Sequence, residues 1–317
     1  MINLLLLLTG FVPLIYGAGL LVDSSSSLAK RFNIPGIVIG LTIVSFGTSS
    51  PELIVNIFAS LSGNSDIALG NIAGSNIFNI LGILGIAAII YPLTVKTGTT
   101  WIEIPLCLLS GLVVMAAAND VIIDKSPLSV ISRIDGIMLL FFFIIFMAYN
   151  FQLMKTGSFD EEIEVKQYSV IRSVIFIIAG LALLVIGGRV IVTFAVRLAH
   201  NLGLSERIIA LTIVSLGTSL PELATSAVAA KKKNVDIAIG NIVGSNIFNV
   251  FFILGLSAVI SPVYPQKLFN FDLAVNIVSS LLLFLFVFTG KGRKLDRWEG
   301  LVFVVLYICY VSALIII

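Results

Sequence analysis

The residues able to do chemistry in this 317-residue chain form two sets related by a constant shift of 170 positions. One set reads Gly47-Thr48-Ser49-Ser50-Pro51-Glu52 and recurs as Gly217-Thr218-Ser219-Leu220-Pro221-Glu222. The other reads Gly70-Asn71, Gly74-Ser75-Asn76 and Asn79, and recurs as Gly240-Asn241, Gly244-Ser245-Asn246 and Asn249. Glu52 and Glu222 lie well inside apolar stretches, whereas the other 15 of the 17 acidic residues can be assigned to connecting segments or stretch ends. Insertion scales put a buried acid at mid-bilayer at roughly 2.5–3.5 kcal/mol. Two facing carboxylates repel, and one is driven to protonate unless a cation stands between them. No Lys, Arg or His lies near the pair in these stretches, so the missing partner is a mobile cation.

The flanking residues describe a coordination shell of hard oxygens. Pro51 removes a backbone donor and clashes with the carbonyl of the preceding turn. Ser50 is thereby placed as an N-cap and Pro51 as the first residue of a new half-helix, freeing carbonyls around Ser45 and Phe46 for an ion. Pro221 repeats the device, with Ser219 or Thr218 capping because Leu220 cannot. Broken helices are tolerated at membrane depth where they line a cavity. The asparagines add neutral oxygens that other helices, water or ions must satisfy. Gly70, Gly74, Gly240 and Gly244 serve either the site or ordinary small-residue packing. Calcium takes about six to eight oxygens, a number that two Glu, two Thr and backbone carbonyls supply; magnesium, which dehydrates reluctantly, fits a dry cage less well. Sodium would use the same oxygens singly. Soft metals are disfavoured, because Cys107 and Cys309 sit apart in apolar runs as filler and the single histidine, His200, falls in a connecting segment.

These residues must be held by membrane-spanning helices. The chain is 58% apolar and 11% charged, with mean hydropathy +1.12 and net charge +2. Charge is too scarce to cover a water-facing surface, which excludes a soluble enzyme, a disordered chain and a nucleic-acid binder. Ten stretches qualify as spans: 3–22, 34–61, 67–92, 101–118, 134–153, 169–190, 205–230, 236–261, 271–290 and 298–317. The first lacks a basic leader region and reads as a retained helix. Six basic residues, among them Arg189, Arg197 and Arg207, fall on the termini's face and thirteen on the other. Both termini of this multi-pass protein of the plasma (inner) membrane are therefore expected to be extracellular or periplasmic. The acidic connector Asp160-Glu161-Glu162-Ile163-Glu164 reads as a solvated cytoplasmic linker.

Residues 39–79 align without a gap to 209–249, with 26 identities over 41 positions. Ile134-Asp135-Gly136 and Trp298-Glu299-Gly300 echo each other more faintly, at an offset of 164. The expected architecture is all-α: a first five-helix repeat over 1–153, a connector over 154–168 and a second five-helix repeat over 169–317. An odd number of spans per half inverts one half relative to the other, as in secondary transporters. The inversion brings Glu52 and Glu222 together near the midplane.

The two motifs resemble the α-repeats of the cation/calcium exchanger superfamily, in its prokaryotic sodium/calcium exchanger branch, and the likeness in architecture extends over the whole chain. The resemblance implies that Glu52, Glu222, Thr48 and Thr218 hold calcium. It implies sodium sites at Ser49, Ser75, Ser219 and Ser245 with the carbonyls of Ser45 and Ser215, and Asn79 and Asn249 lining the middle. It further implies that the first and sixth spans slide across a rigid core. Some members carry Asp at the position of Asn249; here the cage holds two formal charges, which one calcium neutralises and three sodium ions exceed by one. The expected activity is electrogenic antiport of three sodium per calcium, with both ions as cargo, no cofactor, the bilayer as surroundings and no obligate protein partner. A calcium/proton exchanger of the same superfamily is the alternative. A passive channel fits two inverted halves with one midplane site less well. An enzyme lacks a base beside its serines or an HExxH-type metal motif.

Overall fold

The computed structural model describes residues 2–157, 165–201, 215–266, 269–289 and 292–316. Its helices are α1 (Ile2–Arg31), α2 (Gly36–Thr48), α3 (Ser50–Leu61), α4 (Ser65–Ile90), α5 (Thr99–Ala117) and α6 (Arg133–Thr156) in the first half. The second half has α7 (Val170–Asn201), α8 (Ser215–Thr218), α9 (Leu220–Lys231), α10 (Val235–Ile260), α11 (Phe269–Phe286) and α12 (Arg297–Ile316). Among the described residues eight helices are long and apolar enough to cross a membrane, and the pair α2 and α3, bent by 49°, makes a ninth candidate. Of the expected seventh span, 205–230, only α8 and α9 are described; 205–214, and with them Arg207, lie outside the described residues, as do Asp160–Glu164 of the acidic connector. The motif-bearing α4 and α10 form the centre, and the lipid-facing sides of α1, α6, α7 and α12 carry exposed Leu, Ile, Val and Phe.

Two helices run further than hydropathy predicts. α1 continues past residue 22 to Arg31 because Ser24, Ser25, Ser26 and Ser27 are buried within the protein. Ser24 and Ser26 donate to the carbonyls of Leu20 and Val22 four residues back, and Asn234 donates to Ser26 Oγ at 2.7 Å. α7 extends past residue 190 to Asn201, so Arg189, Arg197 and His200 lie in a helix and not in a connecting segment as expected.

Glycines set the closest helix approaches. α1 and α7 cross antiparallel: a Cβ on Gly17 would stand 2.7 Å from the Gly180 carbonyl oxygen, and one on Gly187 would stand 2.8 Å from that of Gly10. Gly10 and Gly17 are the 170-shifted counterparts of Gly180 and Gly187. The same reciprocity joins α4 to α12 through Gly85 and Gly300, and α10 to α6 through Gly255 and Gly136. Short extended links follow suit. Leu93–Thr94 (β1) pairs antiparallel with Lys294–Leu295 (β2) ahead of α12, and Ile131 bridges Val263 ahead of α6. The faint echo at 134–136 and 298–300 marks helix starts: Asp135 closes a capping box with Ser132, and Glu299 accepts from the Asp296 N–H at 2.5 Å.

Candidate cation site between the repeats

The break ahead of Glu52 forms where the proline motif requires it. Ser49 leaves the helical region (φ −81°, ψ 8°) and α3 starts at Ser50 with Pro51 in its first turn; Ser219 (φ −90°, ψ 9°) does the same ahead of α9. The details differ from expectation. Ser50 is not the cap: its hydroxyl donates to the Phe46 carbonyl at 3.1 Å, while Ser49 and Ser219 occupy the cap positions without capping through their side chains. Nor is the Ser45 carbonyl freed. It accepts from the Ser49 N–H at 2.9 Å, and the Ser45 hydroxyl donates to the Leu41 carbonyl at 2.8 Å. The side chain of Ser215 lies outside the described residues.

The cap hydroxyls serve the opposite repeat. Ser49 Oγ donates to Glu222 Oε1 at 2.9 Å, and Ser219 Oγ donates to Glu52 Oε1 at 2.9 Å. Ser75 Oγ stands 3.1 Å from Ser219 Oγ and donates to Glu52 Oε1 at 3.5 Å. Thr48 donates to Asn241 Oδ1 at 3.0 Å and Thr218 to Asn71 Oδ1 at 3.4 Å. Both carboxylates are 1% exposed, and each is held by the cap serine of the opposite repeat.

A second layer fixes the amides. Asn76 and Asn246 donate to one another's backbone carbonyls at 3.2 and 3.1 Å, clamping α4 to α10. Asn79 Nδ2 donates to Asn246 Oδ1 at 2.9 Å and Asn249 Nδ2 to Asn76 Oδ1 at 3.0 Å. The donor end of each central carboxamide is thus bonded, which leaves its oxygen as an acceptor. Four buried oxygens, Glu52 Oε2, Glu222 Oε2, Asn79 Oδ1 and Asn249 Oδ1, accept from no donor, and the Ser245 hydroxyl is likewise buried without a partner. Unpaired buried acceptors are costly. A set made only of carboxylate, carboxamide and hydroxyl oxygens suits a hard cation, and calcium or sodium as cargo fits it. Among the described residues no third acidic, His or Cys side chain joins the pair.

The glycines of the second motif divide by role. A Cβ on Gly240 would lie 3.0 Å from Gly40 Cα, and one on Gly244 2.8 Å from Leu41 Cα, so these two let α10 press against α2. Gly70 has open space around it. Two supporting residues escaped the sequence reading. Asn71 donates to Asn56 Oδ1 at 2.5 Å and Asn241 to Ser226 Oγ at 2.9 Å, while Asn71 and Asn241 each reach the backbone carbonyl of their own repeat's glutamate at 3.3 Å. Asn56 and Ser226 stand four residues past Glu52 and Glu222, on the same helix face. That spacing was the available signal, masked because the two residue types differ.

α10 carries a π-helical turn from Asn249 to Leu254, and α4 one from Phe78 to Leu84 that contains Asn79. Such turns are frequent at functional positions. A cavity of about 410 Å³, lined by Pro51, Gly188, Arg189, Thr218 and Pro221 among others, approaches the pair alongside α7.

Comparison with known proteins places this arrangement. The sequence profile of the family described as sodium/calcium exchanger protein matches residues 2–152 and 172–316. The inner membrane protein YrbG of Escherichia coli (strain K12) is 38% identical over 287 residues, covering 87% of this chain and 86% of that protein. The sodium/calcium exchanger MaX1 of Methanosarcina acetivorans is 32% identical over 350 residues, covering 99% of this chain and 98% of that protein. Among solved structures, the sodium-calcium exchanger NCX_Mj soaked with 10 mM Na+ and no Ca2+ superposes with a TM-score of 0.83 at 33% identity, covering 98% of each chain. This chain is a multi-pass membrane protein of the sodium/calcium exchanger family.

Proposed function

We propose that the protein is a secondary antiporter that exchanges sodium for calcium by alternating access, with three sodium ions moved per calcium. The observation that carries this reading is the set of four buried acceptor oxygens, two carboxylate and two carboxamide, with no donor to satisfy them. Glu52, Glu222, Thr48 and Thr218 are assigned to calcium. Ser49, Ser75, Ser219, Ser245 and the carbonyls of Ser45 and Ser215 are assigned to sodium, the Ser45 carbonyl through the lone pair that its bond from the Ser49 N–H leaves, with Asn79 and Asn249 at the centre. The names of the relatives MaX1 and NCX_Mj support the ion pair.

The reciprocal glycine crossings and β links support ten spans in two inverted halves, 1–153 and 169–317, joined by 154–168. Both termini are assigned to the outside. The cavity beside Pro51 and Thr218 lies towards the start of α1 and the end of α7, and would then be the outward entry path. Each cap serine gives its proton to one carboxylate and keeps its lone pairs for an ion. Calcium and sodium compete for overlapping oxygens, so the two loads exclude each other. Without a cation the site carries an uncompensated charge that resists closure in a low-dielectric core; calcium cancels the two charges of the ionised pair and three sodium ions leave one positive charge. Only a loaded site crosses readily, and this penalty is the coupling. α1 and α7, which cross on glycine backbone and bear none of the ion ligands, are suited to slide against the core.

The test is calcium uptake into reconstituted vesicles driven by a sodium gradient, with pH clamped on both sides. Uptake should require sodium and carry a current that reverses with membrane potential. Uptake driven by a proton gradient alone would replace this reading with calcium/proton exchange.

A further inference from the structure

A second cavity, of about 720 Å³, lies on the other face of the molecule, where the connector enters α7 and the α9–α10 turn meets α1. Its polar end gathers Lys166, Arg172 and Lys232, and among the described lining residues Asp23 is the one carboxylate, an excess of two positive charges over that lining. Lys166 Nζ stands 2.9 Å from Asp23 Oδ2, and Lys232 Nζ stands 2.5 Å from Asp23 Oδ1 and 3.2 Å from the Gly19 carbonyl. The Arg172 guanidinium lies over the rings of Tyr168 and Phe176, at 5.4 and 5.1 Å from their centroids, and among the described residues no carboxylate pairs with it. The stack fixes the plane of the guanidinium and leaves its N–H edge for an oxyanion.

The other end of the cavity is apolar. Phe11, Val12 and Ile15 of α1 line it, and Val12 is 70% exposed. From Asp23 to Val12 the helix rises about 16 Å, half of a hydrocarbon core about 30 Å thick, so the groove matches one leaflet in depth. Tyr16 stands on α1 between Asp23 and the apolar Ile15 and Val12, where an interfacial aromatic belongs. We propose that this groove binds an anionic phospholipid, the phosphate bridging Arg172 and Lys166 and an acyl chain running along α1 past Ile15 and Val12. In the orientation assigned above, the groove opens to the cytoplasmic leaflet, where anionic lipids concentrate and basic pockets between spans select them. The inference does not depend on the transported ions. Its consequence is that an anionic lipid holds α1, α7 and the Lys232 turn together.

The experiment is native mass spectrometry of the full-length protein released from nanodiscs that contain phosphatidylglycerol and phosphatidylcholine in equal amounts. Wild type should retain phosphatidylglycerol preferentially. Arg172→Gln and Lys166→Gln should each lower that preference about fivefold and the double variant about 25-fold. Arg293→Gln, which removes a charge from the same face outside the groove, should leave it unchanged. Millimolar inorganic phosphate should not displace the lipid. Equal loss in Arg293→Gln would reduce the effect to general surface charge, and displacement by inorganic phosphate would make this a phosphate site; either overturns the proposal. Absence of a preference in wild type, with a preference appearing in Glu161→Gln/Glu162→Gln/Glu164→Gln, would assign the groove to the acidic connector instead. Sodium-driven calcium flux in pure phosphatidylcholine monitors folding of each variant.

Discussion

Replacing Glu52 by Gln separates calcium from sodium at the proposed site. The substitution keeps one acceptor for the Ser219 hydroxyl, now 2.9 Å from Oε1, and removes one of the two buried negative charges. A calcium–oxygen contact of about 2.4 Å puts the charge centres about 3 Å apart. With an effective dielectric constant of about 20, Coulomb's law gives roughly 11 kcal/mol for a divalent ion and roughly half that for a monovalent one. Desolvation of the carboxylate offsets part of both values and is common to them, so a difference of about 5 kcal/mol survives. That corresponds to a calcium affinity lowered by three to four decades relative to sodium. The variant sheds a buried charge, which favours folding. The assay is thermal denaturation in detergent as calcium is titrated: at 100 times its Kd, calcium should stabilise wild type by about 2.7 kcal/mol. Glu52→Gln should show no shift at the same concentration, while sodium-dependent stabilisation falls less. Calcium binding within tenfold of wild type in Glu52→Gln, and likewise in Glu222→Gln, would refute the assignment of the pair.

Three further outcomes follow from particular contacts. Asn249→Asp adds a third charge and deletes the bond from Nδ2 to Asn76 Oδ1, so the three-sodium load becomes neutral and the calcium load negative; in reconstituted vesicles the voltage dependence should move from the sodium-loaded to the calcium-loaded crossing, and an unchanged current–voltage relation would contradict the charge count. Gly244→Ala puts a methyl group 2.8 Å from Leu41 Cα and should destabilise by about 1–3 kcal/mol, whereas Gly70→Ala, in open space within α4, should be neutral or stabilising by up to about 1 kcal/mol; melting temperatures of the two variants test the division of the motif glycines. The hydrogen bond to Asp23, reinforced by its charge, holds the Lys166 ammonium above the usual lysine range. A raised value stabilises fully below the unfolded lysine value, about 10.4, and the contribution is lost as pH rises through the folded one. Melting should therefore be insensitive to this pair from pH 6 to 9 and fall more steeply in wild type than in Asp23→Asn above about pH 10.5.

Much of this protein was legible without coordinates, because hydropathy and internal identity are properties of the chain read in one dimension. Apolar length alone marked the eight helices long enough to cross a membrane and the bent pair that makes a ninth candidate among the described residues, and a buried acid stands out against hydrocarbon whatever its neighbours. The shift of 170 positions paired Glu52 with Glu222 and Asn79 with Asn249 before any contact was known. The proline motif located the break in the helix. Polar runs misled, because hydropathy cannot distinguish water from protein as the surroundings of Ser24–Ser27 or Arg189.

Tertiary structure decided which groups meet. Ser49 serves Glu222 and Ser219 serves Glu52, a crossing between halves that no local pattern encodes. The Ser45 carbonyl keeps its helical bond despite the nearby proline, because the bend is confined to the turn after Thr48. The antiparallel meeting of Gly10 and Gly17 with Gly187 and Gly180 emerged only when two backbones were laid side by side. Side-chain chemistry and spacing are written along the chain. Contacts between residues 170 apart depend on how whole helices pack, where a few tenths of an ångström at a glycine decide whether two surfaces can close.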